Sequence, residues 1–505
     1  MTVLEDRPVA IAPTEVAPMA AAPDRRRWLI LGVLTLAQLM VVLDATVVNI
    51  ALPVAQHALG FSDGGRQWVV TAYALAFGSL LLLGGRLSDV FGRRTVLLVG
   101  VAGFAVASAV GGFATTYTML VVARAAQGVF GALLAPAALA MLTTTFTDDK
   151  ERAKAFGIFG AVAGAGSGVG LLLGGALTEY ASWRWCLNVN IVVAVMAIAG
   201  VFALIPHDRP NLRSPLDLPG TATVTAGLVG IVYGFAHADS AGWTDPITLA
   251  CLVAGVALVG AFVAIERRVS NPLLPMRVVL NRTRGGAYVA FSLLGIGMFG
   301  TFLFLTYYLQ STLGFSPVKS GLAFLPMIGA LLVSANVATA VLEPRFSTRS
   351  IMATGMGLAA VGVVLLTGIG VTTSYGTHVV PGLVVAGLGF GMVFAPGMNA
   401  ATRGVLDSDA GVASAMMNVT QQVGGSIGTA LLNTVATSAA ASFVTSHAPS
   451  TSLVAQAAVH SYAVAFWCVA GIFAAGAVIT GLLLDGKDTT VSPEDVRSRQ
   501  LVGVG

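Results

Sequence analysis

The sequence predicts an all-α polytopic membrane protein, and three observations predict it. Only 10% of the 505 residues are charged against 56% hydrophobic, far from the roughly 25% charge of soluble domains. The apolar residues fall in runs of about 20, the length a helix needs to cross a hydrocarbon core. The chain also carries 60 Gly, and small residues let helix backbones approach where lipid gives no hydrophobic drive between them. The alternating ten-residue pattern of a membrane barrel is not seen.

Fourteen such runs follow in order, at roughly 28–52, 67–87, 93–113, 117–143, 153–177, 184–205, 216–238, 246–265, 284–310, 317–342, 350–371, 376–402, 411–440 and 461–484. Residues 1–24 are Ala/Pro-rich and read as a disordered cytoplasmic tail. The run after Arg25, Arg26 and Arg27 is too long for a signal-peptide core, so the first span is an uncleaved anchor. With the N-terminus inside, all of the 27 Lys and Arg residues except Arg66, Arg184, Lys319 and the span residue Arg124 fall in the cytoplasm. That bias follows the positive-inside rule and favours an even number of helices with both termini cytoplasmic. It also accounts for the net charge of +4 without nucleic acid.

Leu87, Phe91 and Arg94, after the second span, recur at one constant offset as Leu342, Phe346 and Arg349. The repeat suggests two six-helix halves, 25–206 and 271–485, separated by two inserted helices at 207–270 and followed by a cytoplasmic tail at 486–505. Internal repeats of this kind are a known transporter plan.

Asp44 is the residue to explain. No other charge stands between Trp28 and Leu52, and an ionisable group in such a setting is a functional site by default. Arg124 is the only basic residue read inside a span. At 1.5 Å rise per residue, Asp44 lies about 12 Å and Arg124 about 10 Å from the outer ends of their helices. A lone charge at that depth costs about 2.5–3.5 kcal/mol, so the two are expected to meet directly or through Gln127, Gln38 or water. One reading is a purely structural pair. The other is a carboxylate caught between desolvation and a nearby guanidinium, which loads or releases a proton when the Arg moves.

The turn Gly85-Arg86-Leu87-Ser88-Asp89-Val90-Phe91-Gly92-Arg93-Arg94 is crowded with charge. It serves either topology alone or a gate, in which Asp89 pairs with an Arg or faces a helix N-terminus. This string resembles motif A of the major facilitator superfamily, with Gly85, Leu87, Asp89, Gly92, Arg93 and Arg94 on the patterned positions. Val90 departs where the family often has a basic residue, and Arg86 is the candidate to compensate. Val121 to Gly131 resembles the superfamily's motif B. The fifth span, Gly157 to Gly175, resembles motif C, which marks antiporters. Its Gly160, Gly164 and Gly168 share one stripe and Gly174 and Gly175 close it, with Leu171 in place of the family Pro. Ser182 to Asn190 and Leu43 to Pro53 are similar to signatures of the fourteen-helix drug:proton antiporters, with Asn190 where that family has Pro. The resemblance covers about Trp28 to Leu484.

That resemblance implies a major facilitator fold and a proton-coupled, multidrug-type exporter in a bacterial cytoplasmic membrane. Its partners would be a small amphipathic substrate, protons and the lipid bilayer, and it would act as a monomer. Asp44 and Arg124 would couple the proton, and Gly85, Arg86, Asp89, Gly92, Arg93 and Arg94 would form the inner gate. Gln38, Gln127, Asn399 and Gln421 are the substrate-pocket candidates, although interhelical hydrogen bonding is the commoner role of such groups. Met392, Met398, Met416 and Met417 flank two of them with side chains that repack readily. The last six spans hold no embedded acid, since Glu343 is at a span end and Asp407 and Asp409 are in a loop. No phosphate-cradling motif and no His or Cys constellation is present, so neither an enzyme, a cofactor nor a metal is expected. An uptake symporter and a non-transporting sensor or lipid-handling protein are the alternatives.

Overall fold

A computed structural model describes residues 24–146, 148–207, 217–269, 272–402, 405, 410–450 and 452–484. The expected tails lie almost wholly outside these residues, as do Arg7, Arg209, Arg213, Arg403, Lys487, Arg497 and Arg499 of the loop-charge argument. The helices are α1 (Asp24–Leu59), α2 (Asp63–Phe91), α3 (Arg93–Gly112), α4 (Tyr117–Thr145), α5 (Asp149–Tyr180), α6 (Trp185–Leu204), α7 (Leu218–Ala241) and α8 (Pro246–Glu266). After the single turn α9 (Met276–Val279) come α10 (Arg282–Tyr307), α11 (Pro317–Ala323), α12 (Leu325–Val337), α13 (Thr348–Leu366), α14 (Val380–Thr402), α15 (Ala410–Ser446) and α16 (Leu453–Leu483). Thirteen helical segments among the described residues are long and apolar enough to cross a membrane. The 32-residue α5 fills the remaining predicted position.

The predicted span at 317–342 is interrupted. Phe324 separates α11 from α12, and Pro326, which has no N–H to give to a preceding turn, stands at the start of the second piece. Wider π-type turns continue α10 over Tyr308–Thr312 and α12 over Ala338–Leu342, and another leads into α14 over Tyr375–Val379. Such turns are accommodated in membranes where neighbouring helices satisfy the freed backbone groups. No break appears at Leu171, which stands where the family has Pro: α5 runs through it.

Backbone-to-backbone contact organises the first six helices. A Cβ on Gly84 of α2 would stand 1.9 Å from the Ala132 carbonyl oxygen of α4, and one on Gly128 of α4 would stand 2.4 Å from that of Tyr73 on α2. One on Gly174 of α5 would lie 2.9 Å from Val47 Cα of α1. These helices touch closely because no side chain intervenes. Helices α10 and α12 to α16 pack among themselves, while α7 and α8 pair with each other and α7 also lies against α2 and α15.

The end of the bundle where α1 starts is called the near end here, and the opposite one the far end. At the far end the two groups of helices are tied together. Gln310 Nε2 donates to the Ile50 carbonyl (2.9 Å), the Val318 N–H to Glu179 Oε2 (3.0 Å) and Arg66 Nε to Asn433 Oδ1 (3.1 Å). Arg66 corrects the sequence reading, which put it in an outer loop. It lies within α2, 4% exposed, with its guanidinium 4.5 Å from the Tyr307 ring centroid. A cation on an aromatic face is worth more once desolvated, which lets an Arg sit where hydropathy would exclude it.

Candidate functional site: a buried carboxylate among five helices

Asp44 and Arg124 are 1% and 2% exposed. Arg124 Nη1 forms an ion pair with Asp44 Oδ2, so the two charges meet directly. A pair this deep must satisfy its remaining donors and acceptors or its desolvation cost exceeds the Coulombic gain, and it does so on several sides. Arg124 Nε donates to the Val69 carbonyl of α2 (3.0 Å), and Nη1 also reaches Gln127 Oε1 (2.8 Å). The guanidinium sits 4.5 Å from the Tyr73 ring centroid. Asp44 Oδ1 accepts from Gln127 Nε2 (2.8 Å) and from Asn190 Nδ2 (2.9 Å). Ser108 Oγ of α3 accepts from both amides, at 2.7 Å from Gln127 and 3.3 Å from Asn190.

Helices α1, α2, α3, α4 and α6 thus each give one or two groups to a single network. Its spacing follows from helix periodicity: Arg124 and Gln127 are three apart on α4, hence on one face. On the far side of Asp44 a void of about 10 Å³ is lined by Val48, Leu52, Val69, Leu120, Trp183 and Leu187 among others. A space so apolar offers a water no hydrogen-bond partner.

The sequence missed three members of this network. In the sequence Asn190 stands out only as a replacement for Pro, and Ser108 and Tyr73 do not stand out at all. Counting depth would have flagged two of them. Asn190 lies about 9 Å and Ser108 about 7.5 Å inside the predicted ends of their spans at 1.5 Å per residue, near the level of the two charges. Gln38, expected as a possible bridge, is half-buried on α1 and has no hydrogen bond to the pair.

In the turn between α2 and α3, Gly92 adopts φ 89°, ψ 138°, a conformation open to glycine and strained for other residues. Gly85 lies in α2, where an added Cβ would make ordinary contact with Pro136. Arg86 Nη2 donates to the Pro272 carbonyl (3.1 Å). Arg93 opens α3, half-buried, and the buried Arg94 contacts the His207 ring and lies 5.4 Å from the Phe202 centroid. The side chain of Asp89 lies outside the described residues, and so does the gate contact expected of it.

Along α5, Gly168 faces Ile328 and Leu325 of α12, while a Cβ on Gly175 would stand 2.7 Å from the carbonyl oxygen of Pro317, the first residue of α11. Gly174 faces α1 as described above. The surroundings of Gly160 and Gly164 lie outside the described residues. The pocket candidates do not converge. Gln127 belongs to the carboxylate network, Gln421 is half-buried with Nε2 4.0 Å from Met298 Sδ, and the exposed Asn399 donates to Glu343 at 3.1 Å. None of the four lines the groove of about 360 Å³ that opens between α2, α4 and α7 along Trp68, Leu75, Ser79, Val122, Val129 and Val229.

Fold and site together define a multi-pass α-helical membrane protein with a buried, hydrogen-bonded ion pair among its first six helices. The chain belongs to the Major Facilitator Superfamily, whose family model matches residues 34–429. It is 50% identical over 482 residues to the puromycin resistance protein pur8 of Streptomyces alboniger, covering 95% of each chain. It is 38% identical to the cephamycin export protein CmcT of Amycolatopsis lactamdurans, covering 79% of this chain and 83% of that one. With the lincomycin resistance protein of Streptomyces lincolnensis it shares 35% identity over 81% of this chain and 85% of the other. Among solved structures, an auto-inhibited POT family peptide transporter superposes with a TM-score of 0.65 at 16% identity, over 94% of this chain and 99% of that one. At that identity the likeness speaks for the fold alone.

Proposed function

We propose that this chain is a proton-coupled exporter of amphipathic antibiotics, working as a monomer in a bacterial cytoplasmic membrane with both termini inside. The observation that carries the reading is Asp44, an ionisable group at membrane depth held by a partner that can let it go. Resistance or export in the names of relatives up to 50% identical supports the direction of transport. The loop-charge bias supports the orientation.

In this scheme the far-end ties are released as the halves 25–206 and 271–485 rock against each other, and Asp44 takes a proton from outside. A neutral carboxyl no longer holds the guanidinium, so Arg124 falls back on Gln127 and the Val69 carbonyl, and substrate leaves. Once the site faces inward the proton departs and the pair re-forms. Each charge moved through the potential is worth roughly 2.3 kcal/mol per 100 mV. The loop from Gly85 to Arg94 acts as the inner gate, and the Gly168 and Gly175 contacts of α5 with α12 and α11 are the sliding surface, while Gly174 holds α5 to α1.

Inverted vesicles carrying the chain, energised and then given puromycin, are expected to release protons, and Asp44→Asn vesicles to release none while the protein remains folded. Unimpaired exchange by Asp44→Asn would overturn the assignment. Puromycin is the first compound to test because of the pur8 relative.

A further inference from the structure

Two carboxyl groups that this scheme leaves unused face each other at the near end. Asp217 caps α7, its Oδ1 accepting from the Gly220 N–H (2.8 Å), and Glu266 ends α8, its Oε2 accepting from the Leu274 N–H (3.0 Å). They are 4% and 3% exposed. The second oxygen of each, Asp217 Oδ2 and Glu266 Oε1, is buried and has no hydrogen-bond partner among the described residues. Both border one small space: a Cβ on Gly220 would stand 2.2 Å from the first and 2.9 Å from the second.

Among the described residues, the charged groups acting on Glu266 are Asp217 and, across from α2, Arg86. Arg86 directs its hydrogen bond to Pro272 and to neither carboxylate. Arg267, Arg268 and Arg277 nearby are exposed. The contrast with Asp44 is chemical. Asp44 is ringed by donors, whereas the facing oxygens of Asp217 and Glu266 have none among the described residues. Two buried acceptors without a donor are costly, and two adjacent carboxylates resist ionising together. One proton satisfies both.

We propose that Asp217 and Glu266 form a second proton-binding site, holding a single proton between Oδ2 and Oε1. That proton fastens the start of α7 and the end of α8 to the 272–274 turn that Arg86 grips. Its loss puts two negative charges in that space, which repel each other and draw on Arg86 of the gate loop. The shared proton makes the gate sensitive to pH on the near side, independently of Asp44.

Infrared spectra of the full-length protein in lipid vesicles, titrated with alkali, test this. A protonated carboxylic-acid C=O band is expected at neutral pH, lost at higher pH, absent in both Asp217→Asn and Glu266→Gln, and retained in Asp44→Asn. The amides keep the fold within reach, since Asn still caps a helix and either amide donates to the remaining carboxylate. The dependence of export on near-side pH should flatten in both amide variants. Absence of the band from the wild type, or its persistence in both amide variants, would overturn the proposal.

Discussion

Three side chains donate to Asp44, and the value of each lies in what its loss leaves behind. Breaking a buried pair by removing one partner typically costs about 3–5 kcal/mol, because the other charge stays buried alone. Arg124→Lys is the finer probe. It keeps the charge but loses the Nε bond to Val69 and the planar fork, so the expected loss is that of one hydrogen bond to a charged group, about 1.5–3 kcal/mol. A lower melting temperature of the purified protein and slower export would register it, and an unchanged protein would show the fork to be idle. The charges were legible in the sequence because the hydrocarbon makes each one an anomaly. Asn190, Ser108 and Tyr73 were not, because neutral polar groups are common enough in spans to pass unnoticed, and only depth matched across helices singles them out.

The helices themselves were legible from length alone, since the bilayer imposes the same length on each. What the sequence did not yield was their interruptions. The break at Phe324 and the wider turn at Tyr308–Thr312 depend on neighbours that satisfy loosened carbonyls, and neighbours are a tertiary property. Arg66 failed for a similar reason, its place in α2 resting on aromatic faces contributed by α10. At this scale the glycines are the sensitive points. Gly128→Leu should wedge α2 from α4, since even a Cβ comes within 2.4 Å of the Tyr73 carbonyl oxygen, and loss of monodisperse protein on gel filtration would report it. Gly92→Ala, at φ 89°, should cost about 1–3 kcal/mol of backbone strain, visible as a lower melting temperature with the assembly otherwise intact.

Across the whole molecule, the two groups of helices pack together along α2 and α15 and along α5 and α11, and polar ties fasten them at the far end. Such ties can hold one arrangement and release another only if they are few and separable. A disulfide between Cys residues placed at Glu179 and Val318, which now share a 3.0 Å hydrogen bond, should lock that end. Export is expected to stop under oxidising conditions and return on reduction. Persistent export by the cross-linked form would mean that the far end need not open.

The apolar void beyond Asp44 carries one more consequence. A wire of water or hydroxyls through Val48, Leu52, Leu120 and Leu187 would let protons short-circuit the membrane whenever the chain sat idle, and these apolar side chains offer such a wire no polar partner. They act as electrical insulation. A polar residue at Leu120 or Leu187 should therefore make resting cells leak acid inward even with no antibiotic to export.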